Sequence, residues 1–318
     1  MEMTSWYRQY CHRFKNTRCS PFIAIAGDSW YLTISLYAKI VKEPYMNNTH
    51  WRVLGFAFMT VVLFTCPVFA DQDLAKQAQN PLADLISLPL QNNTNFGIGP
   101  DDETQNIFNV QQVWPFSMGD EWNLITRTIL PVVSQPDILT GGEGRINGLG
   151  DTTFTGFFSP KNSAQLTWGV GPIFLIPTAT DDSLGSDKWG AGASAVLLAK
   201  PGPWVVGTLF SNLWSVAGSG DQDINLFTFQ YFINYNLANR WYLVSAPIIT
   251  ANWEADSNNR WTVPFGGGVG KIIKIGKLPV NAQASAYYNV ESPAAGADWQ
   301  LRLQLQFLFP KSLFSKKK

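Results

Sequence analysis

Cysteine and histidine are scarce in this chain, and their positions limit what they can do. The three cysteines, Cys11, Cys19 and Cys66, and the two histidines, His12 and His50, all precede residue 71. If the segment ending at Ala70 is removed, no thiol and no imidazole remain. That excludes disulfides, thiol nucleophiles and Cys/His metal sites. It also excludes a Ser-His-Asp hydrolase site, including one embedded in a membrane. Charge is scarce too, at 14% of 318 residues against about 25% in ordinary soluble domains. After residue 70 there are 16 Lys and Arg against 20 Asp and Glu, a net of −4, and three of those cations are Lys316, Lys317 and Lys318. Such a chain lacks the basic footprint of a nucleic-acid binder, and no nucleic-acid partner is expected. Mean hydropathy is −0.04, which argues against a bundle of membrane helices. What is abundant is aromatic: 14% Phe, Trp and Tyr, with 13 Trp. Together with many Gly, Asn, Gln and Thr, this suits a chain that meets lipid on one side and water on the other.

Residues 46–70 read as an export signal. A short start with His50 and Arg52 leads into the apolar run Val53–Cys66, and Pro67-Val68-Phe69-Ala70 supplies a cleavage site just before Asp71-Gln72-Asp73. The run is barely long enough to span a bilayer as a helix, and Pro67 and the acidic flank oppose that reading. Cys66 after Phe64-Thr65 is poorly placed for lipidation. A complete signal starting at Met46 leaves 1–45 as over-called or unstructured extension. Residues 71–89 then form an N-terminal periplasmic segment, with a short helix or two around Pro81.

From residue 90 to 310 the pattern is strand and turn. In Trp299–Phe309 every odd position is large and apolar, and Gln300, Arg302, Gln304 and Gln306 alternate with them. A period of two means a strand with two unlike faces. Val280–Val290 sorts as cleanly, with Asn281, Gln283, Ser285, Tyr287 and Asn289 on the polar face. Trp204–Trp214 and Asn225–Tyr235 alternate with aromatics on one face, and Trp122–Leu130 sets Arg127 with Asn123 opposite Trp122 and Leu124. Short connections such as 117–120, 159–162, 200–203, 237–239 and 275–277 alternate with longer acidic or Gly-rich loops at 134–148, 178–187, 216–223, 252–260 and 291–297. This short-long rhythm belongs to an up-and-down outer-membrane barrel. Eleven strands lie between 104 and 310, and Leu90–Gly99 makes the twelfth. The expected fold is therefore all-β: a closed antiparallel up-and-down transmembrane barrel of about 12 strands, with a basic tail at 311–318. Nine Trp near strand ends (114, 122, 168, 189, 204, 214, 241, 261 and 299) fit interfacial girdles.

The run Gly148-Leu-Gly-Asp151-Thr-Thr-Phe, the run Trp168-Gly-Val-Gly-Pro172 and the closing strand ending in Phe309 resemble the bacterial outer-membrane family called the MetA-pathway of phenol degradation family. The resemblance covers about residues 80–310. It implies an outer-membrane barrel, labelled a transporter, that serves as a channel for aromatic or other hydrophobic compounds, and it supplies no catalytic residues. Family barrels end on an aromatic used by the assembly machinery; here Phe309 is followed by Pro310 and a lysine-rich tail.

Other constellations have plainer readings. Asp181, Asp182 and Asp187 fit a solvated loop better than a Ca²⁺ site. Gly266–Gly270 lacks the Gly-Lys-Ser/Thr of a phosphate loop and fits a bent barrel wall. Nothing places Glu143 beside Asp151 as an acid/base pair. No cofactor, metal or catalytic residue is expected. The best functional surface is the polar face: Arg127, Asn281, Gln283, Gln300, Arg302, Gln304 and Gln306, facing a lumen. The expected function is passive uptake of small, hydrophobic or aromatic molecules across the outer membrane. The alternative is a structural or interaction barrel with a plugged lumen.

Overall fold

Strands dominate the molecule because alternation dominates its sequence. The computed structural model describes residues 74–137, 144–162, 166–276 and 278–309. The expected signal segment, the extension before it, Glu143 and the tail after Phe309 lie outside the described residues. Fourteen strand segments form one antiparallel sheet: β1 (Ile86–Ile98), β2 (Glu103–Met118), β3 (Trp122–Pro136), β4 (Arg145–Leu149), β5 (Thr152–Pro160), β6 (Leu166–Ile176), β7 (Lys188–Ala199), β8 (Trp204–Gly218), β9 (Asn225–Asn236), β10 (Trp241–Ser245), β11 (Ile248–Asn252), β12 (Trp261–Ile275), β13 (Leu278–Glu291) and β14 (Trp299–Phe309). β4 and β5 both pair with β3, and β10 and β11 both lie between β9 and β12, so each couple is one interrupted stave. The count is twelve staves. Neighbours follow chain order, and β1 pairs with β14 from Ile86 opposite Phe309 to Phe96 opposite Trp299. The barrel is closed, so no strand edge is left for lipid to penalise.

Both interruptions have local causes. Leu149 faces Val132 while Thr153 faces Ile129, so four residues on one stave oppose three on β3. The extra residue is a bulge at Gly150-Asp151. The second break falls at Ala246-Pro247, where proline has no N–H to give the ladder.

Pairing sets the faces. Trp189, Trp204, Trp214, Trp241, Leu303 and Leu305 are exposed on the outer wall, while Arg302, Asn281, Ser285 and Asn93 are buried on the inner one. Trp122 and Trp168 meet edge to face at 5.9 Å at the short-turn end, and Phe96 stacks on Trp299 at 4.0 Å at the long-loop end. An apolar outer band with aromatic rims is the wall pattern of a transmembrane barrel.

The first stave departs from the sequence reading. β1 begins at Ile86, four residues before Leu90, because Ile86–Pro89 already pair with Gln306–Phe309. The segment before it, expected as a periplasmic element, enters the barrel. Residues 74–78 form a helical turn. Asn80 then turns the chain, its side-chain oxygen accepting from Leu82 N at 3.0 Å and its carbonyl from Ala83 N at 3.1 Å. Leu82 is buried among the inward residues Ile125, Phe157, Val196, Leu198, Val205 and Phe232. Ala75 and Ala78 pack with Tyr242, Val244, Ile272 and Leu308. Gln79 and Asn236 exchange hydrogen bonds at 2.9 and 3.1 Å. The segment is a plug at the short-turn end, held by about 2 kcal/mol from Leu82 burial, smaller apolar contacts and one amide pair.

Candidate functional site

Above the plug lies a cavity of about 170 Å³. Its floor is the plug itself, from Gln77 to Leu85. Its walls combine apolar side chains, among them Phe157, Leu209 and Phe232, with the polar faces of β1, β2, β3, β13 and β14. Arg127, Asn281, Gln283, Arg302, Gln304 and Gln306 line it together. Gln300 does not line it, but accepts from Arg302 Nη2 at 2.9 Å and donates to Asn95 Oδ1 at 2.8 Å.

The inner wall carries a continuous chain of amides. Arg127 Nη2 donates to Gln111 Oε1 at 2.8 Å, Gln111 Nε2 to Gln91 Oε1 at 3.4 Å, and Gln91 Nε2 to Asn93 Oδ1 at 3.2 Å. Asn93 Oδ1 also accepts from Arg302 Nε at 3.0 Å. From Arg302 the chain climbs through Gln300, Asn95, Gln105 and Gln135 to the carbonyl of Ser183 in the long-loop end. Arg302 further donates from Nη1 to the carbonyl of Ala246 at 2.9 Å, the group freed by the break before Pro247, and its guanidinium lies 4.9 Å from the Tyr287 ring centroid. The sequence reading missed Gln91, Asn95, Gln105, Gln111 and Gln135 as wall residues. Their signal was present in the odd-position amides of β1 and β2 and in Gln135 of β3, muted by polar residues at the even positions between them, such as Asn92, Thr94, Asn106 and Gln112.

Tyr242, also missed, reaches across β12 to donate to Asn281 Oδ1 at 2.7 Å. It can do so because position 270 is glycine: a Cβ there would sit 2.1 Å from the Tyr242 ring. The glycine run thus makes room inside the wall rather than only bending it.

The Gly148-Leu-Gly-Asp151 run is a clamp. Asp151 Oδ2 accepts from the Ser186 amide at 2.8 Å and its hydroxyl at 2.7 Å, and Oδ1 accepts from Ala179 N at 3.2 Å. Thr180 Oγ1 accepts from Leu149 N at 3.0 Å, against the bare Cα of Gly148, where a Cβ would fall 2.2 Å from that oxygen. The bulge therefore holds the 178–187 loop against β3 and β4. Asp151 is a loop anchor. Asp181 caps the short 3₁₀ turn Asp182–Leu184 through Ser183 N at 2.9 Å, and among the described residues no three acidic, His or Cys side chains gather as metal ligands. Farther along the same rim, Lys188 donates to Asp223 at 2.8 Å, a hydrogen bond that holds the Asp223 carboxyl below its ordinary pKa. Replacing Asp151 with Ala is expected to weaken loop docking by about 2–4 kcal/mol. Hydrogen exchange at Ala179 and Ser186 will rise while the strand ladders stay protected; unchanged exchange there would contradict the clamp.

The chain is similar to solved outer-membrane structures. The COG4313 outer membrane channel from Pseudomonas putida F1 matches with a TM-score of 0.54 at 18% identity, over 71% of this chain and 94% of that one. The CymD monoaromatic hydrocarbon channel matches with a TM-score of 0.39 at 8% identity, over 77% and 93%. Outer membrane phospholipase A from Escherichia coli gives 0.39 at 14% identity, over 76% and 98%. No curated protein matches the chain by sequence. The family described as "Putative MetA-pathway of phenol degradation" matches residues 102–314, a span that takes in the Asp151 clamp, both arginines and all but the first of the twelve staves, and the chain belongs to that family.

Proposed function

We propose that the barrel is a passive outer-membrane channel for small molecules, hydrophobic or aromatic in character. The observation that carries this reading is the cavity inside the barrel, lined by amides and arginines together with apolar side chains such as Phe157, Leu209 and Phe232. A filled structural barrel has no need of such a space. The family points the same way, and the fold agrees with a solved outer membrane channel. A hydrolase reading has little support, since the only histidines are His12 and His50, ahead of the barrel. We further propose that the protein is exported by a signal cleaved near Ala70 and inserted by the barrel-assembly machinery, with lipid around its apolar band. N-terminal sequencing of the membrane form is expected to start near Asp71.

One observation favours the alternative of a sealed structural barrel: the 74–85 segment fills the short-turn end. The two readings separate in reconstituted membranes. The channel reading expects phenol to cross proteoliposomes faster than protein-free vesicles, together with discrete conductance steps in planar bilayers. Absence of both would favour the sealed barrel.

A further inference from the structure

We infer that the lumen carries an anion site, and that its ligand is a small organic carboxylate with a single ring or a short apolar body. The inference rests on the channel reading above and names its solute class. It begins with charge. The cavity lining holds two cations, Arg127 and Arg302, and no Asp or Glu. Neither arginine is paired with a carboxylate among the described residues, and Arg302 is only 4% exposed. The chain that joins them, Gln111, Gln91 and Asn93, consists of neutral amides. Two like charges enclosed without a counter-ion cost free energy, and an entering anion relieves that cost.

The two guanidiniums divide the work. Each has five N–H donors. Arg302 gives three hydrogen bonds, to Asn93, Ala246 and Gln300, and stacks near Tyr287. It is fastened to the wall. Arg127 gives one, to Gln111, and its other N–H groups have no protein partner among the described residues. A planar fork with free donors matches a carboxylate through two parallel hydrogen bonds. The Tyr287 hydroxyl, buried on the same wall beside Arg302, also lacks a partner among the described residues.

Size and lining set the rest of the ligand. The space is about 170 Å³, and an apolar protein cavity of about 150 Å³ holds one benzene ring. The rest of the lining mixes the apolar Phe157, Leu209, Phe232 and Val244 with Gln230 and Asn234, and Phe157 lies on the stave next to Arg127. A ring or short chain fits there, with its carboxylate toward Arg127. Inorganic phosphate satisfies the arginines but leaves the apolar side chains without a contact.

Calorimetry on the purified barrel in detergent tests this without requiring conduction, using benzoate, phenol and inorganic phosphate as probes. Benzoate is expected to bind about tenfold or more tighter than phenol or phosphate, and Arg127→Gln to remove that advantage while Arg127→Lys keeps part of it. Equal affinity for benzoate and phenol would overturn the anion site, and phosphate binding as tightly as benzoate would overturn the assigned ligand class. If Arg127→Gln fails to fold, the three-probe comparison on the unaltered protein and Arg127→Lys still decides. Benzoate binding in a barrel that passes no solute would support the anion site and count against the channel. Conductance with no preference for chloride over potassium, and no benzoate binding, would leave the channel and remove the anion site.

Discussion

Replacing Leu82 with Asp will open the barrel. Leu82 sits among the apolar side chains of Ile125, Phe157, Val196, Leu198, Val205 and Phe232. Burying a carboxylate there costs several kcal/mol, more than the roughly 2 kcal/mol the leucine contributes. The segment it belongs to is short and is otherwise held by two alanines and the Gln79–Asn236 pair, so it will leave the lumen rather than bury the charge. No strand ladder includes residue 82, so the barrel itself will stay closed. The expected result is a several-fold rise in single-channel conductance, matched by a chain that begins at residue 86, with barrel unfolding little changed. Conductance equal to that of the unaltered protein would mean that the segment does not govern the path.

The second large effect separates the two arginines. Arg302→Ala removes three hydrogen bonds from a charged donor; Asn93 and the Ala246 carbonyl keep weaker bonds from Gln91 and Gln230, and the Gln300 oxygen loses its donor. At about 1.5–3 kcal/mol for each such bond, discounted for shared losses, the cost is about 4 kcal/mol of unfolding free energy. Arg127→Ala loses a single bond to Gln111, and its cost is about 1–2 kcal/mol. Urea unfolding of the two variants in the same detergent reads the difference. Equal destabilisation would show that Arg127 is fastened to the wall as firmly as Arg302, and would remove the argument that its donors are free for a ligand.

The legible part of the fold was whatever repeats with period two. From Asn281 to Asn289 in β13 and from Gln300 to Gln306 in β14 every second residue is an amide, serine, tyrosine or arginine, so the inner faces of these staves could be read directly, and Arg127 followed from its place opposite Trp122 and Leu124. The even strand count required a stave before residue 104. Its start at Ile86 was hidden because Pro89 suggested a boundary, whereas here proline sits in the ladder opposite Gln306. The plug was illegible for a different reason. Residues 74–85 show no period, and the partners of Leu82 come from β3, β5, β7, β8 and β9, positions that become neighbours only after closure. The role of Asp151 was hidden similarly. Its partners Ala179 and Ser186 lie 28 and 35 residues away, and a carboxylate beside two glycines looks the same in sequence whether it anchors a loop or serves a reaction. Tyr242 and Gly270 are a pair whose meaning exists only across two neighbouring staves.

Solute that crosses through the lumen must pass the 74–85 segment. The chain from residue 71 onward has no cysteine, so a single engineered pair can be introduced. Gly169 is the natural partner for position 82, since a Cβ at 169 would lie 3.2 Å from the Leu82 methyl carbons. The decisive measurement is the conductance of the Leu82→Cys, Gly169→Cys double variant in planar bilayers, before and after reduction of the cross-link. A closed or minimally conducting barrel is expected when oxidised, with a several-fold rise on reduction. The same conductance in both states would contradict it.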